Sequence, residues 1–233
     1  MRRIPAKIIS PALQIYVKHY FKKPRPYRYK GIKGIVHPGV FFPQFTISTK
    51  MLLQFLEVKE LKGQQFLELG CGTGLVSVMA AQRGANVTAS DINPAAIENA
   101  KDNAKRNAVK IQTILSDLFT EIPTQIFDTV IINPPYYPKD PKNRAEEAWF
   151  CGSAFEYFEK LFPALPQYFN ADSEVFMILS EDCEFERIKA IAAKSQLTFS
   201  TVLQKKKWGE VSFIYRLVLD TINFDTVKIN HSN

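Results

Sequence analysis

Two hundred and thirty-three residues can build one large domain with a full core, or one domain and a small appendage. A 46% hydrophobic share excludes a disordered polymer. Three scattered cysteines (Cys71, Cys151, Cys183), with no CxxC pair and only three histidines, argue against a disulfide framework or zinc site and fit a reducing cytoplasm.

Eleven Lys and Arg precede the first acidic residue, Glu57, and the remainder holds 19 basic against 23 acidic residues. The whole formal charge of +7 therefore arises in the first quarter of the chain. Such asymmetry fits an anionic partner, most often nucleic acid, or a solvated arm that only aids solubility. Met1-Arg2-Arg3 followed by Ile8, Ile9, Leu13 and Ile15 has a faint leader-like look, but Pro5, Pro11, Lys7 and Lys18 interrupt it and no small-x-small site follows. Residues 1–33 read as a basic arm, helical over Leu13–Phe21, and residues 34–233 as one domain. No apolar run approaches membrane-spanning length.

Arg28–Lys33 and Gly34–Val40, separated by Gly31 and Gly34, predict a hairpin or two extended pieces. Met51, Leu52, Phe55 and Leu56 at helical spacing predict a helix over Ser48–Glu60, capped by Thr46 or Ser48. An alternating series follows. Strands are expected at Gln65–Leu69, Asn86–Ser90, Ile111–Leu115, Asp128–Asn133 and Glu174–Leu179. Helices are expected after Gly74, over Pro94–Asn107, Phe155–Phe169 and Glu184–Ser195. Thr198–Leu203 and Ser212–Leu219 close the chain as a hairpin. This order predicts a doubly wound α/β fold: a mostly parallel, seven-stranded sheet with one antiparallel strand near the C-terminus.

The first strand of the series runs into Glu68-Leu69-Gly70-Cys71-Gly72-Thr73-Gly74 and then a helix. Glycines at such a turn let the backbone come close to a ligand, and doubly wound sheets bind nucleotides there. Asp91, followed by Ile92, ends the next strand, where an acid can hold ribose hydroxyls. The third strand ends at Ser116-Asp117-Leu118, with an acid to accept from an adenine amino group and a leucine to pack on the ring. The GxGxG spacing, in place of GxGxxG, disfavours a nicotinamide-dependent oxidoreductase.

The strand from Asp128 ends in Asn133-Pro134-Pro135-Tyr136-Tyr137-Pro138. Two prolines stiffen this loop and donate no N–H, which leaves carbonyl oxygens and the Asn133 amide oxygen as fixed acceptors. A planar NH2 suits that set, with Tyr136 stacked on its plane, and catalysis would come from positioning and electrostatics. Trp149 and Phe150 fit the mouth of such a site or, more commonly for an aromatic pair before a helix, the core. Lys205–Trp208 is expected in the turn of the terminal hairpin, and His37 in a loop without a partner.

Glu68–Gly74, Asp91, Ser116-Asp117 and Asn133–Tyr136, in this order, resemble the class I S-adenosylmethionine-dependent methyltransferases of the small-domain group, over about residues 34–219. The resemblance implies S-adenosylmethionine as cofactor, held by Thr49, Glu68, Gly70, Gly72, Gly74, Asp91, Ile92, Asp117, Leu118 and Asn133. Catalysis is implied at Asn133, Pro134 and Tyr136, with no metal. Thr49 belongs to residues 40–53, which are similar to the segment that closes over the cofactor in this group; an ordinary first-turn helix residue is the alternative. Ala148–Gly152 is similar to the Ala-x-x-Gly-Gly stretch of the glutamine methyltransferases, except that Cys151 replaces the first glycine. The basic arm is unlike the helical recognition domain of the bacterial release-factor enzymes. The expected acceptor is a nucleobase amine in ribosomal or transfer RNA. Alternatives are a glutamine amide in a translation-related protein, or a module that binds cofactor without turnover.

Overall fold

The computed structural model describes residues 22–43, 47–144, 146–207 and 209–220. The helix expected over Leu13–Phe21 lies outside them.

A β-hairpin comes first, β1 (Arg25–Tyr29) and β2 (Ile32–Val36), joined at Lys30-Gly31. Of the two glycines expected to separate the strands, Gly31 makes the turn and Gly34 does not. Gly34 lies within β2 opposite Tyr27, and a Cβ there would come within 2.6 Å of Leu75, so this glycine serves close packing. The expected domain boundary after residue 33 falls inside β2, and Tyr27 and Tyr29 are buried in the core with Ile32 and Val36.

Then follow α1 (Ser48–Leu56), β3 (Gln65–Leu69), α2 (Leu75–Gln82), β4 (Asn86–Asp91), α3 (Pro94–Arg106), β5 (Gln112–Leu115) and β6 (Thr129–Ile132). The chain ends with α4 (Glu156–Ala164), a 3-10 turn (Leu165–Tyr168), β7 (Glu174–Ser180), α5 (Phe185–Ala193), β8 (Leu197–Lys207) and β9 (Glu210–Leu219). The seven-stranded sheet has the order β5-β4-β3-β6-β7-β9-β8. All neighbours are parallel except β9, which runs antiparallel to both β7 and β8.

Strand alternation feeds two cores. Phe66, Ile131 and Phe176 pack under α1 and α2, whereas Leu67, Val130, Ile132, Val175 and Met177 pack under α4 and α5. Asn93 caps α3, its side chain accepting from the Ala95 N–H, with Pro94 in the first turn. The residue before α1 is Ile47, which makes no side-chain cap. The long helix expected over Phe155–Phe169 tightens after Ala164, since Pro163 and Pro166 remove two helical donors. The three lysines expected in the terminal turn instead extend β8, and Lys205 hydrogen-bonds the Gln54 side chain on α1. Trp208 is outside the described residues. A bulge between Thr201 and Leu203 interrupts the β8–β9 register and leaves Val202 and Leu203 exposed.

Two asparagines of α3, and Asn107 that caps its C-terminus, join the hairpin to the domain. Asn99 accepts from the His37 N–H and donates to the Ile35 carbonyl, both at 2.8 Å. Asn103 accepts from the Ile35 N–H and donates to the Ile35 carbonyl, both at 2.8 Å. Asn107 accepts from the Lys33 N–H at 2.9 Å and donates to the Lys33 carbonyl at 3.0 Å. Four helical residues advance about 6 Å and two strand residues about 6.6 Å. Each amide therefore meets every second residue of β2 and stands in for a neighbouring strand. His37 has a partner after all, its Nε2 lying 3.0 Å from Asp102 Oδ2.

Candidate active site

Beside β3 the chain order reverses, with β4 and β5 on one side and β6 on the other. Doubly wound sheets open a crevice at the carboxyl ends of the strands at such a point. A cavity of about 320 Å³ lies here, lined by the ends of β3, β4, β5 and β6, by Ser48 and Thr49 of α1, and by Tyr157 of α4. Every residue expected at the site lines it except Gly74.

Gly70, Gly72 and Gly74 all have positive φ, at 75°, 51° and 69°. Gly70 and Cys71 both donate to the Ser90 carbonyl, which seats the turn on the end of β4. A Cβ on Gly74 would lie 2.6 Å from that of Ala100 and 2.8 Å from its Cα. Gly74 thus packs α2 against α3 and stands behind the cavity wall.

Two carboxylates brace the turn. Asp91 Oδ2 accepts from the Gly72 N–H at 2.8 Å, and Oδ1 from the Asn93 N–H at 2.9 Å. Burial pushes the Asp91 carboxyl up from the usual range, against these two amides, and Glu147 across the cavity adds to the rise. Glu68 is buried, and its Oε2 accepts from the Ser77 N–H at 2.8 Å and from the Ser77 hydroxyl. Burial raises its pKa to about 8, with Asp91 contributing. Glu68 therefore anchors the first turn of α2 as well as lining the cavity, a bond that the motif did not reveal.

The third acid is more open. Asp117 lies 3.4 Å from Lys160 Nζ, and Leu118 adopts a φ of 52°. Ser116 Oγ donates to the Leu118 carbonyl and accepts from the Glu121 N–H, which holds this uncommon conformation. Asn133 donates from Nδ2 to Ser48 Oγ at 3.4 Å, and its Oδ1 has no partner among the described residues. None of them donates to the Pro134 carbonyl either. The rings of Tyr136 and Tyr137 are 4.8 Å apart and tilted by 55°.

Tyr137 and Trp149–Cys151 are zipped together: the Tyr137 N–H donates to the Trp149 carbonyl at 3.2 Å, and the Cys151 N–H to the Tyr137 carbonyl at 3.0 Å. Trp149 is not core. It is 38% exposed and meets Phe41 at 5.0 Å between ring centroids, so the two rings lie together in the cavity lining. Gly152, at φ 89°, needs to be glycine because a Cβ would run into Glu156. Cys151 does not, since its side chain is buried in the α4–α5 core. Sequence reasoning missed Tyr157, whose ring lines the cavity close enough to Asp91 and Asp117 for both to raise its pKa, after burial. It also missed Ser90, whose buried hydroxyl lines the same cavity and has no hydrogen-bond partner among the described residues.

The cavity offers a ligand the carboxyl groups of Glu68, Asp91, Asp117 and Glu147, the last two paired with Lys160 and Arg144, and the Ser90 hydroxyl. S-adenosylmethionine has a sulfonium, an ammonium, a ribose diol and an adenine, and these residues fit it. Sheet order and crevice together define a class I, Rossmann-like methyltransferase that uses S-adenosylmethionine. Residues 32–157 match the family model "Methyltransferase small domain", and the chain belongs to that family.

Among relatives, a protein of Methanocaldococcus jannaschii named "Putative protein N5-glutamine methyltransferase" is 33% identical over 159 residues, which are 65% of this chain and 77% of that protein. Two of the solved structures that share the fold illustrate the range of acceptors named for them. One is a chain of the E. cuniculi Mtq2–Trm112 complex, described as responsible for methylation of the eRF1 translation termination factor (TM-score 0.59, 20% identity, covering 77% of this chain and 98% of that one). The other is the T. thermophilus 16S rRNA N2 G1207 methyltransferase with AdoMet and guanosine (TM-score 0.54, 18% identity, covering 83% of this chain and 50% of that one). Among the described residues no helix is long and apolar enough to cross a membrane, and no cluster of three or more metal-ligating side chains exists.

Proposed function

We propose that this methyltransferase acts on a planar NH2, the exocyclic amine of a nucleobase in RNA. The observation that carries the planar amine is the state of the Asn133 amide: Nδ2 is engaged by Ser48 while Oδ1, in the cavity lining, has no partner among the described residues. Asn133 Oδ1 and the Pro134 carbonyl accept the two amine hydrogens, which turns the nitrogen lone pair out of the plane toward the cofactor. Tyr136 supplies the stacking face. Burial and the neighbouring Tyr137 push its phenol pKa up, so it stays neutral. Gly70, Gly72, Asp91, Ile92, Asp117, Leu118 and Thr49 hold the cofactor against the strand ends, and Glu68 lines the cavity beside them while it fixes the first turn of α2. Bound S-adenosylmethionine supplies an electrophilic methyl group, whose bond to sulfur breaks with the electron pair going to sulfur. The methylated nitrogen then releases one proton to water. The basic residues among positions 1–33 face the RNA.

A glutamine amide presents the same pair of hydrogens. The zipped Tyr137 and Trp149–Cys151 segments favour it as a second reading, since they lie in the stretch that resembles the glutamine methyltransferases, and so does the name of the M. jannaschii relative.

Labelled methyl transfer into fractionated extract, followed by nuclease or protease digestion, decides between the acceptors. Asn133→Ala should lower turnover by about 10²–10³-fold, as for loss of one preorganised polar contact to a reacting group, and keep cofactor affinity within a few-fold. A variant retaining a tenth of wild-type turnover would refute the role given to Asn133.

A further inference from the structure

We propose that the outer face of the β1–β2 hairpin, with the last turn of α3 beside it, is a track for the sugar–phosphate backbone of single-stranded RNA. The inference rests on the RNA reading above and gives that acceptor a docking surface. Arg28 and Lys33 are direct cross-strand partners, and both are exposed. Like charges placed opposite each other on a hairpin destabilise it, and no carboxylate occurs anywhere between residues 22 and 43 to relieve them. Asn107 holds both backbone groups of Lys33, which sets the hairpin at the end of α3 that carries exposed Lys105 and Arg106.

Exposed Lys22 and Lys23 lead into β1. None of these six cations has an ion-pair partner among the described residues, whereas Lys30, on the hairpin turn, is neutralised by Glu57 at 2.8 Å. An anion docked along the face relieves the repulsion that the fold leaves in place. The face also leads to the chemistry. Beyond Val36 the chain passes into the segment whose Gly39 and Phe41 line the cavity, and Phe41 packs on Trp149 there. A strand of RNA lying on the hairpin is thereby directed to the opening where a base can enter.

Binding of a short single-stranded oligoribonucleotide to the full chain, followed by fluorescence anisotropy across a salt series, tests the track. Each lost phosphate contact removes about 0.7 from the slope of log affinity against log salt. The double substitution Arg28→Gln/Lys33→Gln should therefore flatten the slope by about 1.4, a relative difference of about seven-fold between about 50 and 200 mM salt. Lys105→Gln/Arg106→Gln is a second, independent variant with the same expectation. S-adenosylmethionine affinity, unchanged within two-fold, shows that both variants are folded. The track is refuted if both keep the wild-type slope, or if they lose binding only to vesicles of anionic phospholipid. A flattened slope without methyl entering RNA supports the track and overturns the nucleobase acceptor instead.

Discussion

Replacing Asn103 with leucine should destabilise the fold far more than the same change at Asn107, although both residues sit in one ladder. Asn103 is fully buried and serves three backbone groups: the N–H and carbonyl of Ile35, and the Thr73 carbonyl in the glycine turn at 2.8 Å. The Ile35 carbonyl would keep its bond from Asn99, so two groups would be orphaned, the half-buried Ile35 N–H and the buried Thr73 carbonyl, each worth about 1–3 kcal/mol. A loss of about 2–6 kcal/mol follows, and for a domain of this size each kcal/mol lowers the melting temperature by about 2–4 °C. Asn107 contacts Lys33 at the surface, where water replaces the lost bonds, and its variant should lose no more than about 1 kcal/mol. Thermal melts and urea titrations of the two variants measure the difference. Cofactor titration adds a second readout, because only the Asn103 variant frees the Thr73 carbonyl. Equal destabilisation by the two changes would show that the ladder is packing and not a set of directed bonds.

Gly74→Ala combines a left-handed residue, about 1–2 kcal/mol, with overpacking against Ala100, about 1–3 kcal/mol. A melting temperature about 4–20 °C lower is expected by calorimetry. Glu68→Gln should alter the pH dependence of stability. The folded pKa of about 8 exceeds the ordinary 4.5, so the native state binds the extra proton. Its stabilisation is full below about pH 4.5 and is lost as pH rises through 8. Urea unfolding of the apo chain from pH 5 to 9 should show wild type falling relative to the glutamine variant by an amount on the order of a few kcal/mol. Parallel curves would remove the buried-acid account.

The parts of the fold legible in the sequence were those bounded by strong punctuation. Gln65–Leu69 matched to the residue because a glycine turn ends it, and α3 starts where Pro94 follows a capping asparagine. Gly31 and Gly34 looked alike in sequence, and only the third dimension shows that Gly34 meets Leu75 while Gly31 makes the hairpin turn. The extra length of β8 was hidden because three lysines resemble a solvated loop, whereas one of them reaches across to α1. At the site, the motif residues were legible as lining, but their bonds were not. The Glu68–Ser77 and Asn133–Ser48 contacts join residues from different elements, and the Phe41–Trp149 pair spans 108 positions of the chain.

The bulge in β8 has a consequence for how molecules of this protein meet one another. A sheet with two outer strands offers rows of unpaired amides and carbonyls, a template on which another sheet can grow. At one side β5 is only four residues long. At the other, β8 is eleven residues and carries exposed Val202 and Leu203, a composition suited to fibre-like association. The bulge beside these two residues breaks the regular spacing that an incoming strand would have to match. Lys205, Lys206 and Lys207 close the far end, so stacking a second copy there would crowd ammonium groups. Straightening the bulge by deleting Val202 should turn a self-limiting edge into an adhesive one, with turbidity appearing at protein concentrations where the native chain stays clear.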